Sequence, residues 1–232
     1  MNNKTAISVV MPSYNEEKAV GPMVESIRRN AAGHDVEILL VDGGTDKTPE
    51  IAQSLGARVL RKPPRGHGDA LKTCLSEASN PVIITSDCDN TYPMEFIPEL
   101  VRLIEQEGYD LVSCCRMHSG LGSAMPRTNK FGNWLFAFLV RLLYRIDTHD
   151  VTTGMFCMKK SAVAALNLRN NYSLPCEIIV RANLAGLKYR EINIPYRFRL
   201  GEVTLNKWRS GKAYLKCIFN YRFGLGISPA EM

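Results

Sequence analysis

Ile83-Ile84-Thr85-Ser86-Asp87-Cys88-Asp89-Asn90-Thr91-Tyr92-Pro93 joins an apolar, β-branched run to two carboxylates placed one residue apart in a turn. Read as a buried strand over residues 82–86, the run delivers Asp87 and Asp89 at its carboxyl end, where open α/β sheets place their ligands. Two hard oxygen ligands this close suit Mg²⁺ or Mn²⁺, cations that keep most of their shell for water and substrate phosphates. Such a site holds a diphosphate. The same Asp-x-Asp pattern also occurs in acidic turns that only solvate a loop, so its meaning depends on what surrounds it.

Upstream, Ala6 to Met11 is a short apolar run that stops at Pro12, and Ser13-Tyr14-Asn15-Glu16-Glu17 opens a helical pattern ending near Asn30. Glu37 to Val41 is a second run, closed by Asp42-Gly43-Gly44-Thr45-Asp46-Lys47-Thr48. Pro49 to Leu55 reads as a helix, Arg58 to Leu60 as a third strand, Asp69 to Ala78 as a helix and Pro81 to Ser86 as the fourth strand. Downstream, Asp110 to Ser113 reads as a fifth strand leading to Arg116, Trp134 to Tyr144 as a strongly apolar helix, and Cys176 to Ala182 as helical. Short apolar runs without alternation, separated by amphipathic helices, are parallel strands covered on both faces. The expected fold is therefore α/β, a mostly parallel sheet with flanking helices.

A chain of 232 residues, 45% hydrophobic and 22% charged, is long enough to bury a full core. We expect one domain over residues 1–200 and a basic amphipathic segment over 201–232. The formal net charge of +6 favours phosphates, nucleotides or lipid headgroups as partners. The basic residues follow no recognisable nucleic-acid motif, so no nucleic acid partner is expected. Seven cysteines without Cys-x-x-Cys read as reduced, cytosolic thiols, and His34, His67, His118 and His149 lack zinc-ligand spacing. With no signal-peptide pattern and no run of about 18 apolar residues, the expectation is a soluble or peripheral protein on the cytoplasmic side.

Four motifs in order, Val10-Met11-Pro12-Ser13-Tyr14-Asn15-Glu16, Val41-Asp42-Gly43-Gly44-Thr45-Asp46, Gly66-His67-Gly68-Asp69-Ala70-Leu71-Lys72 and Asp87-Cys88-Asp89-Asn90-Thr91-Tyr92-Pro93, resemble those of family 2 glycosyltransferases. The similarity is to the polyprenyl-phosphate (dolichyl-phosphate) mannosyl- and glucosyltransferase branch, and it runs from about residue 6 to about residue 215. The resemblance implies a GT-A type nucleotide-binding fold and metal-dependent, inverting transfer of a hexose from a nucleotide-diphosphate sugar such as GDP-mannose to a polyprenyl phosphate at a membrane surface. It leaves room for a separate membrane-anchoring subunit.

Against that resemblance each motif acquires an expected role beside a plainer one. Pro12 ends the strand, Tyr14 stacks on a base and Glu16 accepts hydrogen bonds from it, or Ser13 or Asn15 simply caps a helix. Asp42 contacts base or ribose, while Asp46 is equally a turn residue. Arg61-Lys62-Pro63-Pro64-Arg65-Gly66-His67-Gly68 joins a basic cluster to two glycines before a helix; it lies along the diphosphate, with Gly68 as backbone contact, or is a solvated basic loop. Asp87 and Asp89 hold the metal, and Asp89 counts as catalytic.

On the acceptor side, the resemblance implies that Arg116 meets phosphate and that Asp150, in His149-Asp150-Val151-Thr152-Thr153-Gly154, shapes the acceptor side. Glu177 either binds sugar hydroxyls as a catalytic-site carboxylate or pairs with Arg181 one turn later. Lys130, Arg197, Arg199 and Lys207 are the expected acceptor-phosphate contacts. The chain departs from the family where Phe156 replaces a usual arginine and where Val203-Thr204 replaces a Ser-Lys pair, so Lys207 or Arg199 supplies the charge there. The 134–144 helix, apolar on most sides, is either buried core or a surface that approaches a lipid; from Lys207 onward a basic, aromatic helix either lies on an anionic membrane or packs on the domain. A polyprenyl phosphate is already an anionic nucleophile and needs no strong general base. The alternatives are transfer to a saccharide hydroxyl, with Glu177 as base, or a non-catalytic nucleotide-binding partner subunit.

Overall fold

The computed structural model describes residues 4–117, 125–201 and 207–224. Strand β1 (Ala6–Ser13), helix α1 (Val20–Asn30), β2 (Asp35–Asp42), α2 (Thr48–Ser54), β3 (Arg58–Arg61), α3 (His67–Glu77) and β4 (Val82–Thr85) alternate as the apolar runs require. A one-turn 3₁₀ helix at Met94–Phe96 leads into α4 (Ile97–Glu105) and β5 (Leu111–Cys115). Then come α5 (Arg127–Tyr144), β6 (Phe156–Lys159), α6 (Lys160–Leu166), α7 (Leu174–Leu184), β7 (Tyr189–Asn193) and α8 (Lys207–Phe223). The sheet runs β3-β2-β1-β4-β6-β5-β7, parallel throughout except for β6, which is antiparallel to β4 and β5.

Both faces of the sheet are covered, and the two-residue period of a strand sorts the side chains between them. Ile7, Val9 and Met11 of β1, with Ile38 and Leu40 of β2 and Val82 and Ile84 of β4, join the core beneath α1 and α4. Val10, Leu39, Val41 and Ile83 join the opposite core, with α3, α5, α7 and α8. The chain winds outward from β1 to β3 and returns on the other side of β1 as β4, so the strand order reverses between β1 and β4. That reversal opens the crevice in which α/β sheets bind ligands, and it lies directly beneath the aspartate turn.

Three of the differences from the sequence expectation bear on the site. Strand β1 continues through Pro12 to Ser13, paired with Val41 and Asp42 of β2. Pro12 is tolerated because β4 pairing stops at Val10 with Thr85, so its missing N–H faces no ladder. Helix α1 begins at Val20 without a side-chain cap, so neither Ser13 nor Asn15 caps it. Helix α5 begins at Arg127 and has 18 residues. Among the described residues no helix is long and apolar enough to cross a membrane.

Candidate active site

The turn after β4 is built by its own side chains. Asn90 takes a left-handed conformation (φ 68°), which asparagine tolerates, and Asp89 Oδ1 accepts hydrogen bonds from Thr91 N–H (3.0 Å) and Thr91 Oγ1 (2.6 Å). Asp89 is thereby buried, with its other oxygen 3.0 Å from Arg199 Nη1. Asp87 is partly open and shares a hydrogen bond of 2.9 Å with His67 Nε2. Arg199 also reaches Glu16, so three carboxylates, Glu16, Asp87 and Asp89, face one guanidinium and one imidazole.

Their ionisation reflects the crowding. Burial raises Asp87, but His67, Arg116 and Arg199 outweigh it and hold the carboxyl below the ordinary aspartate value. Burial and the neighbouring Asp87 charge push Asp89 up, against the opposing pull of Thr91 and Arg199. Burial also pushes Glu16 up to about 7, Arg199 offsetting only part of it. Two like charges driven apart in this way mark a site short of positive charge. The donor set is all oxygen, and Glu16 Oε2 is buried without a partner, which suits Mg²⁺ or Mn²⁺, with Asp87 and Asp89 as the residues that would hold it. Among the described residues no group of three or more His, Cys, Asp or Glu stands ready to hold a metal by itself. A cation completed by water and diphosphate needs none.

Beside this turn, the edge of β1 and β2 forms a cross-linked cradle. Ser13 Oγ donates to Asp42 Oδ1 (2.8 Å), Thr45 N–H to Asn15 Oδ1 (2.8 Å), Glu16 N–H to Thr48 Oγ1 (2.9 Å) and Glu17 N–H to Asp46 Oδ2 (3.0 Å). Tyr14 is half exposed above it, where a base can stack, while Pro12 lies buried in the strand beneath. Asp46 caps its own turn, accepting from Thr48 N–H and Thr48 Oγ1. Asp42 is fully buried and bonded to Ser13, Gly44 N–H and Arg61, so it braces the floor of the cradle. Arg61, half exposed and also bonded to Gly44 O (2.7 Å), is the group that reaches solvent there; nothing in the sequence singled it out from the basic tract. Gly68, at the start of α3, donates its N–H to Asn171 O (3.2 Å) and lies so close to that peptide that any Cβ would collide with it. Its glycine is explained by that approach.

Two carboxylates take roles other than those expected of the acceptor side. Asp150, fully buried, binds Arg116 through Nε (2.7 Å), Nη2 (2.9 Å) and N–H (3.1 Å), and also accepts from Asn133 Nδ2 (2.8 Å). Arg116 is itself buried, bonded to Thr152 Oγ1 and flanked by the Tyr92 and Tyr196 rings at 5.8 and 5.1 Å. It stands beside the aspartates, committed to Asp150 in the absence of ligand. Glu191 fixes the same loop by accepting from Thr148 Oγ1, His149 N–H and Asp150 N–H. Glu177, also fully buried, accepts from Arg169 N–H, Asn170 N–H and Tyr221 OH. The carboxylate thus ties the 169–170 loop to α8, and its sequence-expected partner Arg181 instead bonds Leu166 O.

Of the expected acceptor cations, Arg197 pairs with Glu95 and Arg199 with Glu16 and Asp89. Lys130 sits partly exposed in the first turns of α5, three residues before Asn133. Lys207 opens α8, and its side chain, like Val203 and Thr204, lies outside the described residues. Helices α5 and α8 pack together through Phe136 and Tyr214, stacked at 5.2 Å, and through Tyr144 OH on Ile218 O (2.5 Å). Each nevertheless leaves an apolar stripe in solvent, contrary to full core burial of α5. Phe131, Trp134, Leu135, Phe138 and Leu142 are exposed on α5, and Leu215, Phe219 and Phe223 on α8. Arg127, Arg145, Lys212, Lys216 and Arg222 are exposed around them, and neither helix contains an Asp or Glu.

Comparison with known proteins fits this geometry. The model of the family described as Glycosyl transferase family 2 matches residues 8–166. A dolichyl-phosphate hexose transferase of Haloferax volcanii is 40% identical over 212 residues, covering 91% of this chain and 92% of the relative. A low-salt glycan biosynthesis hexosyltransferase of the same organism is 28% identical, covering 90% of this chain and 52% of the relative. Among solved structures, glucosyl-3-phosphoglycerate synthase from Mycobacterium tuberculosis, in complex with Mn²⁺, uridine diphosphate and phosphoglyceric acid, superposes with a TM-score of 0.76 at 22% identity, covering 94% of this chain and 79% of that one. The likeness extends the GT-A architecture across the described sheet. The chain belongs to glycosyl transferase family 2 and is a glycosyltransferase.

Proposed function

We propose that this enzyme moves a hexose, mannose or glucose, from a nucleoside diphosphate sugar to a polyprenyl phosphate at a membrane surface. The observation that carries the acceptor is the pair of helices α5 and α8, whose outward stripes are aromatic and whose exposed charges are all basic. Such a surface suits the interface of an anionic bilayer, where basic residues each add about 1 kcal/mol. In this reading the chain's own helices make the membrane contact, in place of an anchoring subunit. Helix α5 is also tied to the active site, because Asn133 holds Asp150. The Haloferax relative's name points to the same acceptor class, and seven free, buried cysteines suit the cytoplasmic face.

The chain's residues then act by positioning and electrostatics. Tyr14 and the cradle at Asp42 receive the nucleoside, and Asp87 and Asp89 hold the cation, which when bound neutralises charge on the leaving diphosphate. Arg197, Arg199 and Lys130 are the cations this reading offers to the incoming phosphate. The acceptor brings its own negative oxygen, so no general base is required. The saccharide-acceptor reading needs one, and Glu177 is committed elsewhere.

Radiolabel transfer from GDP-mannose, GDP-glucose and UDP-glucose to a short polyprenyl phosphate, with and without Mn²⁺, tests the reading. Wild type should transfer with at least one donor only when metal is present, and Asp89→Ala should reduce turnover by ~100-fold or more. Equal transfer by Asp89→Ala, or transfer to free saccharide but to no lipid phosphate, would overturn it.

A further inference from the structure

Both aspartates of the turn are already matched by nitrogen donors of the chain itself, His67 on Asp87 and Arg199 on Asp89. Arg199 rides on a strap, residues 197–201, which lies across the aspartate turn. Arg197 N–H donates to Thr91 O (3.1 Å), Leu200 N–H donates to Asp89 O (2.9 Å), and the Arg197 guanidinium pairs with Glu95. At Gly201 the backbone takes φ +123°, and a Cβ there would stand 2.8 Å from Glu16 Oε2. The strap thus lies close against the Glu16 carboxylate.

The seal carries two defects. Glu16 Oε2 and Arg199 Nε are both buried without a hydrogen-bond partner, an arrangement that destabilises any closed state and that folded proteins otherwise avoid. Both defects disappear if the strap lifts. Arginine cannot lose its charge, so a second cation arriving at Asp89 competes with it directly.

We propose that Arg199 is the resident cation of the donor site: it neutralises Asp89 and Glu16 in the donor-free enzyme, and the divalent cation arriving with the donor displaces it. This rests on the reading of Asp87 and Asp89 as the cation-holding pair. Guanidinium and metal compete for one carboxylate oxygen, so metal alone binds poorly and metal with nucleotide binds together. Displacement releases Arg199 and its strap toward the acceptor phosphate. Donor binding therefore precedes acceptor binding, and by linkage each favours the other.

Mn²⁺ alone, titrated into nucleotide-free enzyme and followed by loss of the free-ion EPR signal, tests the exchange. Arg199→Gln should bind Mn²⁺ at least about tenfold more tightly than wild type, the scale of one charge-assisted hydrogen bond. Gly201→Ala keeps the charge but unseats the strap, and should shift affinity in the same direction. Hydrogen exchange should show the Arg197 and Leu200 amides protected in the metal-free enzyme and released with Mn²⁺ plus UDP or GDP. Unchanged or weaker Mn²⁺ binding in both variants, or amides that stay protected when loaded, would overturn the exchange. Tighter Mn²⁺ binding in Arg199→Gln without any sugar transfer by wild type would instead support the exchange and sink the transferase acceptor reading.

Discussion

Asp150→Asn removes one charge from the most completely buried ion pair in the site and leaves its volume nearly unchanged. Asp150 is fully buried and accepts from Arg116 three times, from Asn133 Nδ2, and from Thr152 N–H and Oγ1. The carboxyl is held below the ordinary aspartate range, since the Arg116 charge and its hydrogen bonds outweigh burial. An asparagine turns one acceptor into a donor facing Arg116 or Asn133, and it leaves an arginine that is only 6% exposed without the carboxylate it is paired with. Breaking a buried pair from one side costs about 3–5 kcal/mol. For a chain of this size each kcal/mol is roughly 2–4 °C, so the midpoint of thermal unfolding should fall by roughly 6–20 °C. Urea unfolding followed by circular dichroism should show the same loss as a lower midpoint at constant slope. A loss below about 1 kcal/mol, the scale of a surface pair, would refute the view that this bridge anchors the acceptor side. Replacing both partners by apolar residues should cost much less than the single change.

Glu177→Gln should lower stability by about 1–3 kcal/mol through the 169–171 loop while kcat stays within a few-fold; a ~100-fold fall in kcat at unchanged stability would restore a catalytic role. Trp134→Asp with Phe138→Asp, both on the exposed stripe, should abolish co-sedimentation with anionic vesicles at unchanged unfolding midpoint, and retained binding would remove the membrane face. Burial pushes Glu16 up to about 7 from the ordinary glutamate value of 4.5, so between those values the folded state holds a proton that the unfolded chain has lost, and stability from this group declines as pH rises through them. Glu16→Gln should therefore gain on wild type by about 1–3 kcal/mol more at pH 8 than at pH 4.5, a gap read from urea midpoints; an equal difference at both values would contradict the buried-carboxylate assignment.

The alternation of strands and helices as far as β5 was legible because β-branched runs and glycine-rich turns alternate at short spacing; the strand order in the sheet, with its reversal between β1 and β4 and its antiparallel β6, was not. The Asp-x-Asp-x-Thr pattern even contains its own brace, since Thr91 bonds Asp89. What stayed hidden depends on long-range pairing. Asp42 and Asp150 look like ligands in isolation, yet each is satisfied by a residue distant in sequence, Arg61 and Arg116. Burial of Glu177 under Tyr221 could not be read from helical spacing, which offered Arg181 instead. His67 gave no signal beyond its place in a glycine-rich loop, because its partner Asp87 lies 20 residues on. The exposed stripe of α5 was ambiguous for a different reason: a helix apolar on most sides has no unique inward face until its neighbours are known.

Diffraction at the manganese edge from crystals grown with Mn²⁺ and a nucleoside diphosphate bears most directly on the proposed chemistry. An anomalous peak bridging the Asp87 and Asp89 carboxylates and two phosphate groups, with Arg199 moved off Asp89, is the result expected. A nucleotide bound with no peak there, or with Arg199 still seated on Asp89, would contradict it.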